Sequence, residues 1–220
     1  MIINYPSKVQ DIPGRVSSAK CDLVFIASDI PPLGLSKYNV KENGKLSSSL
    51  SSSKKKITTG TWMKNDRVKI LFDKTGKLSK IITSSNSSDI HLKQEFAFYR
   101  GAVGNNSPPN YVVQIHTYFG ITRILMTIKS KDRASGAYIF RPESQEPEPI
   151  GDPVSASIIR GSLVQEVHQR WNDWTSQVIR IYRGQRVVEC EWMVGPLPGQ
   201  QPGTPGLEVI TRLLYLLCRH

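Results

Sequence analysis

The sequence predicts an all-β chain built as a β-sandwich. Apolar residues fill 39% of its 220 positions, enough for a packed core. They gather in short runs of strand length, rich in β-branched and aromatic side chains. Clusters of Gly, Pro, Asn and Ser separate the runs, and no internal repeat is visible.

Cys21-Asp22-Leu23-Val24-Phe25-Ile26-Ala27 is the first strand-like run. It stops before Pro31-Pro32-Leu33-Gly34, where prolines remove backbone donors and a glycine permits a turn. Leu35-Ser36-Lys37-Tyr38-Asn39-Val40 alternates as an edge strand does. Ser then fills six of the seven positions from 47 to 53, ahead of Lys54-Lys55-Lys56. Such a stretch buries too little apolar area to offset its ordering entropy, so residues 46–60 read as a linker. Beyond it, Val68-Lys69-Ile70-Leu71-Phe72 and residues 78–82 flank Asp73-Lys74-Thr75-Gly76, which predicts a hairpin with Gly76 at positive φ. Glu95-Phe96-Ala97-Phe98-Tyr99 predicts another strand, and residues 101–110 a loop.

Residues 111–128 are apolar without clean periodicity. Gln114, His116 and Arg123 within them exclude a membrane-spanning helix, which needs about 20 mostly apolar residues. Residues 131–153 turn polar and Pro-rich, apart from Ala137-Tyr138-Ile139-Phe140. Leu163, Val164, Val167, Trp171, Trp174 and Val178 recur at helical spacing, so pattern alone leans to a helix. The same stretch holds a strand-like run over residues 174–182. The clearest strand is residues 187–194, with Glu189 and Glu191 on one face and Val188, Cys190, Trp192 and Val194 on the other.

The 29 Lys and Arg against 18 Asp and Glu give a net charge of +11. Residues 1–110 carry 17 basic and 8 acidic residues of these. The lysines are scattered between apolar segments without a recognition module, so a solvated basic surface is favoured over nucleic-acid binding. The chain is expected to engage neither nucleic acid nor membrane. The opening Met1-Ile2-Ile3-Asn4-Tyr5-Pro6 lacks the basic and apolar regions of a signal peptide. Cys21, Cys190 and Cys218 have no zinc or redox spacing, and His91, His116, His168 and His220 fall in no ligand motif, so no metal is expected in this chain.

Other chemical signals are weak. Glu166 and His168 share a strand face and read as a surface polar pair. Glu189 and Glu191 lie near the separation of a retaining glycosidase's carboxylates, but such pairs are common on any wet sheet face. Nucleophile-elbow, P-loop and dinucleotide motifs are absent. Asn86 and Asn105 open N-x-[ST] sequons in predicted loops and are candidate glycosylation sites.

Ala134-Ser135-Gly136-Ala137-Tyr138-Ile139-Phe140-Arg141-Pro142 resembles a hallmark of the lysosomal-type α-mannosidases, glycoside hydrolase family 38. Gly161-Ser162-Leu163-Val164-Gln165-Glu166-Val167-His168-Gln169 is similar to the family's next strand, and residues 174–186, 188–198 and 206–212 continue the likeness in order. Residues 31–38 and 71–78 resemble the family less tightly. Residues 108–130 and 213–220 depart from its pattern.

The resemblance implies the end of a small β domain over residues 1–45 and an incomplete mutarotase-like β-sandwich over residues 61–220, and it turns the ambiguous stretch at 163–182 into strands. It implies hydrolysis of terminal α-mannose of N-glycans by a zinc-assisted retaining mechanism in the parent enzyme, in a lysosomal or other vacuolar compartment. The zinc ligands and nucleophilic aspartate have no counterpart here, so the chain is read as a truncated, inactive portion lacking the N-terminal catalytic domain. Its implied partners are that domain and a mannose-containing glycan. Tyr138 is the implied substrate-binding residue, reaching toward the sugar with a phenol that both packs and donates. An alternative is a carbohydrate-binding or interaction β module without catalysis, stacking sugars on Trp171 and Trp174.

Overall fold

The computed structural model describes residues 2–5, 18, 22–41, 55–84, 89–104, 111–118, 121–128, 134–136, 139–199 and 204–215, with backbone alone for 2–5, 22–23, 111–118 and 121–128. Among these residues there is no helix, and the sheets are antiparallel throughout, as an all-β chain requires. Contacts divide the chain into two units. The first holds Met1–Glu95, Gly151–Pro196 and Arg212–His220, and the second Phe96–Ile150 and Leu197–Thr211.

In the first unit, β1 (Ile2–Tyr5) pairs with β2 (Asp22–Phe25) as a separate two-stranded ribbon. The short β3 (Lys55–Lys56) opens a larger sheet. β4 (Trp62–Lys64), β5 (Val68–Phe72), β6 (Leu78–Thr83) and the start of β7 (Asp89–Arg100) then pair in succession. After an excursion through the second unit come β11 (Ser155–Arg160), β12 (Val164–Arg170), β13 (Thr175–Tyr182) and β14 (Val188–Val194). These form a sheet in the order β14-β13-β12-β11-β3.

The two larger sheets share one core, which makes the unit a sandwich. Met63, Val68, Ile70, Phe72 and Leu78 come from one sheet, and Ala156, Ile158, Val167, Ile179 and Ile181 from the other. In β5 burial alternates strictly, because successive side chains point to opposite faces. The β5–β6 turn is held by Asp73, whose Oδ1 accepts hydrogen bonds from Thr75 N at 2.8 Å, Thr75 Oγ1 at 2.6 Å and Lys77 N at 3.0 Å. Gly76 takes φ +82° there, as predicted. An added Cβ at this position would lie 2.8 Å from Val154 O, so glycine also serves a close approach between segments.

The second unit holds the rest of β7, β8 (Tyr111–Tyr118), β9 (Ile121–Ile128) and β10 (Glu148–Ile150). β10 pairs with β7, placing Ile150 opposite Phe96. β8 and β9 pair antiparallel, registered from Tyr111↔Ile128 to Tyr118↔Ile121. The last strand is β15 (Leu207–Tyr215).

Several sequence expectations are corrected. The helical lean over residues 163–178 fails, for the stretch is β12 and β13 joined at Asn172, whose Oδ1 accepts from Trp174 N at 3.0 Å. Its apparent periodicity spans both strands and the turn between them, and each strand is buried on both faces: adjacent Glu166 and Val167 in β12, and Val178 and Ile179 in β13, are all inaccessible. Residues 35–40 do not form an edge strand, and Leu33 and Leu35 are exposed. Residues 111–118 and 121–128, irregular by pattern, are two paired antiparallel strands. At the end of the linker-like stretch, Lys55–Lys56 pairs with β11 and Ile57 N donates to Ala156 O at 3.0 Å, which draws Ile57 into the core. Trp192 shares the face of Cys190, as read, yet is 52% exposed, because β14 is a sheet edge.

Cys190 is a free thiol beside the core, and burial pushes its pKa up, partly offset by a hydrogen bond with Gln177. The thiolate is the nucleophile, so Cys190 is expected to alkylate at least about tenfold more slowly in the folded chain than in urea. Site-resolved mass spectrometry after iodoacetamide pulses checks this, and equal rates in both states refute it.

Candidate functional site

Tyr138, the substrate contact implied by resemblance, lies outside the described residues, as do Asn86 and Asn105. The backbone on either side of Tyr138 is described, and it is firmly held. Gly136 N donates to Ile139 O at 3.0 Å, and Ile139 N returns a bond to Gly136 O at 3.2 Å. Ser135 Oγ donates to Ile139 O and accepts from Arg141 N, both at 3.3 Å. One hydroxyl thus ties both arms of the segment together. Sequence reading passed over Ser135, and the only available signal was a small hydroxyl residue ahead of Gly136, a pattern suited to local side-chain bonds.

This segment is fastened to the end of β7 within the second unit. Ala102 N donates to Arg141 O at 2.8 Å, Ser135 N to Ala102 O at 3.0 Å and Glu143 N to Arg100 O at 2.8 Å. A Cβ at Gly101 would sit 3.0 Å from Ser135 Cβ, so the two backbones meet closely there. Phe140 meets Tyr99 edge to face at 5.4 Å and remains exposed. Backbone pairing rather than side-chain burial fixes the position of this segment.

The first unit brings together charges that the sequence had read separately. Glu166 is 3% exposed, so it and His168 are not a surface pair. Glu166 Oε2 lies 2.7 Å from His168 Nε2, and Oε1 accepts from Arg180 Nε at 2.7 Å. Arg180 also donates to Glu189 Oε1 at 3.2 Å and to Glu191 Oε2. Burial opposes the charge on Arg180, but the hydrogen bonds and charges of Glu166 and Glu191 outweigh it and raise the guanidinium pKa above its ordinary value. Glu189 and Glu191 are therefore clamped by a cation and are not a free acid–base pair. The missed signal was Arg180 itself, a charge flanked by Ile179 and Ile181 in a buried strand.

Between the sheets, three glutamines close a second network. Gln94 Nε2 donates to Gln177 Oε1 at 2.8 Å and to Gln169 Oε1 at 3.1 Å. Gln94 Oε1 accepts from Leu78 N at 2.7 Å, and Gln169 Nε2 donates to Gly76 O at 2.7 Å. Trp171 is 4% exposed and Trp174 half-buried, so Trp171 offers no face on which a sugar could stack. Among the described residues no group of three or more His, Cys, Asp or Glu could hold a metal ion, and nothing there fits the zinc of the resembling family. Among the described residues no helix is long and apolar enough to cross a membrane.

The first unit is thus an antiparallel β-sandwich module whose polar clusters are locked in structural pairs. Residues 63–214 match the model of the glycosyl hydrolases family 38 C-terminal domain. The chain is 32% identical over 213 residues to the lysosomal alpha-mannosidase of Homo sapiens, covering 94% of this chain and 18% of that protein. It is 34% identical over 216 residues to the lysosomal alpha-mannosidase of Mus musculus (95% and 19%). It is also 31% identical over 202 residues to an alpha-mannosidase of Arabidopsis thaliana (89% and 17%). The chain belongs to glycoside hydrolase family 38. It spans less than a fifth of the length of these relatives.

Proposed function

We propose that this chain serves as the β-rich C-terminal portion of an α-mannosidase that removes terminal α-mannose from N-glycans. The match of residues 63–214 to the family's C-terminal domain carries this reading. In it, the chain supplies a wall beside the sugar, and the Tyr138 hydroxyl is a substrate contact. Zinc and the nucleophilic aspartate of a retaining reaction belong to the catalytic domain, the partner of this chain. The names of the human and mouse relatives support a lysosomal setting.

The experiment compares the pure 220-residue chain with a chimera carrying it behind the N-terminal portion of the human relative. With a chromogenic α-mannoside, the chain alone is expected to release nothing above a Tyr138→Phe control. The chimera is expected to turn over, with Tyr138→Phe raising KM roughly fivefold, the value of about one neutral hydrogen bond. Turnover by the isolated chain, or a chimera indifferent to Tyr138, rejects the reading.

A further inference from the structure

Three turns wall one end of the sandwich in the first unit: residues 64–67, 161–163 and 183–187. They surround a cavity of about 430 Å³, whose lining includes Lys64, Asp66, Ser162 and Arg183. A second cavity of about 250 Å³ is lined by Arg67, Thr83, Ser84 and Arg186. The turns are bonded into place. Asn65 Nδ2 donates to Tyr182 O at 2.5 Å and to Gln185 O at 2.8 Å, and Asn65 Oδ1 accepts from Arg67 N and Val68 N, both at 2.8 Å. Ser84 N donates to Arg67 O at 3.0 Å, and Ser84 Oγ to Asp66 O at 3.2 Å.

The charge here is one-sided. Among the described residues, Lys64, Arg67, Arg183 and Arg186 line the two cavities, against Asp66 alone. Asp66 is already engaged, its Oδ1 accepting from Gly184 N at 3.0 Å and its Oδ2 lying 3.3 Å from Arg67 Nε. The Asp66 and Arg67 side chains are both about half exposed, so this ion pair is weak and easily exchanged. Among the described residues no acidic side chain pairs with Arg183 or Arg186, and the Thr83 hydroxyl makes no hydrogen bond. Two planar guanidinium forks beside a spare hydroxyl in a small recess suit a tetrahedral oxoanion, which accepts paired N–H donors.

We propose that Arg67 and Arg186, with Thr83, form a binding site for a phosphate or sulfate oxoanion, free or esterified to a sugar. The recess has room for one such group, and Arg183 and Lys64 add attraction from the neighbouring cavity. None of these residues belongs to the segment around Tyr138, so the site stands whether or not the α-mannosidase reading holds.

Isothermal titration of the full chain with glucose 6-phosphate, glucose 6-sulfate, inorganic phosphate and glucose tests it. The two esters are expected to bind and glucose not to. Arg67→Gln/Arg186→Gln is expected to weaken ester binding at least about tenfold. Lys37→Gln/Lys74→Gln, which removes the same charge at exposed positions elsewhere, is expected to leave it unchanged. Inorganic phosphate binding as tightly as the esters identifies the free anion as the ligand of the same site. Absence of binding by every anion, or equal losses in the two double variants, overturns the proposal. Melting temperatures of both variants within a few degrees of the parent keep a binding loss distinct from unfolding.

Discussion

Arg180→Met is expected to destabilise the sandwich by about 3 kcal/mol or more, the cost of removing one partner from a buried ion pair. Glu166 is almost wholly inside, and its Oε1 faces the Arg180 Nε at 2.7 Å. Methionine keeps the bulk and loses the positive charge, so a carboxylate remains in a poor solvent for ions. Glu189 and Glu191 then lose the cation that offsets their mutual repulsion along one face of β14. Urea denaturation at neutral pH checks this through the midpoint at unchanged slope. The double variant Glu166→Leu/Arg180→Met should recover most of the loss, because removing both charges also removes the desolvation cost. A single-variant loss below about 1 kcal/mol would show that the pair behaves as an exposed one.

Gln94→Leu is expected to cost about 3 kcal/mol by a different route. The change orphans three groups that cannot reach water: Leu78 N, Gln169 Oε1 and Gln177 Oε1. An unmade hydrogen bond on a buried group costs about 1–3 kcal/mol, and partial relaxation reduces the sum. Gln94→Glu is the informative companion, because it keeps the accepting Oε1 but replaces the donor toward Gln177 with a second acceptor. Both variants should lose stability while a surface change such as Lys74→Gln stays within about 0.5 kcal/mol. Wild-type stability in Gln94→Leu would mean that the glutamines are not mutually bonded in solution.

The two networks also mark where sequence reading stopped. The hairpin at Gly76 was legible because its requirement is local: four residues must reverse the chain, and glycine at positive φ does so without strain. The strand over residues 187–194 was legible for a similar reason, since alternation needs only the next residue. Glu166 was misread because its nearest sequence partner, His168, looks the same on a wet or a dry face. Arg180, fourteen residues away in sequence, reveals the dry one. Trp171 was misplaced as a stacking platform because an aromatic residue beside a turn gives no sign of whether another segment covers it. The helical spacing over residues 163–178 misled because a strand buried on both faces loses its alternation, and what remains can fall at any period.

From its own residues the sequence determined an all-β chain of short strands, the β5–β6 hairpin and, through the runs at 134–142 and 161–182, its family. These rest on backbone preferences and short-range order, which each segment carries with it. Tertiary structure alone decided that Arg180 clamps three glutamates, that three distant glutamines bond between two sheets, and that Arg67 and Arg186 share a recess. Those facts depend on which strands become neighbours and on how the two sheets pack, which brings together residues that are up to 120 positions apart in the chain.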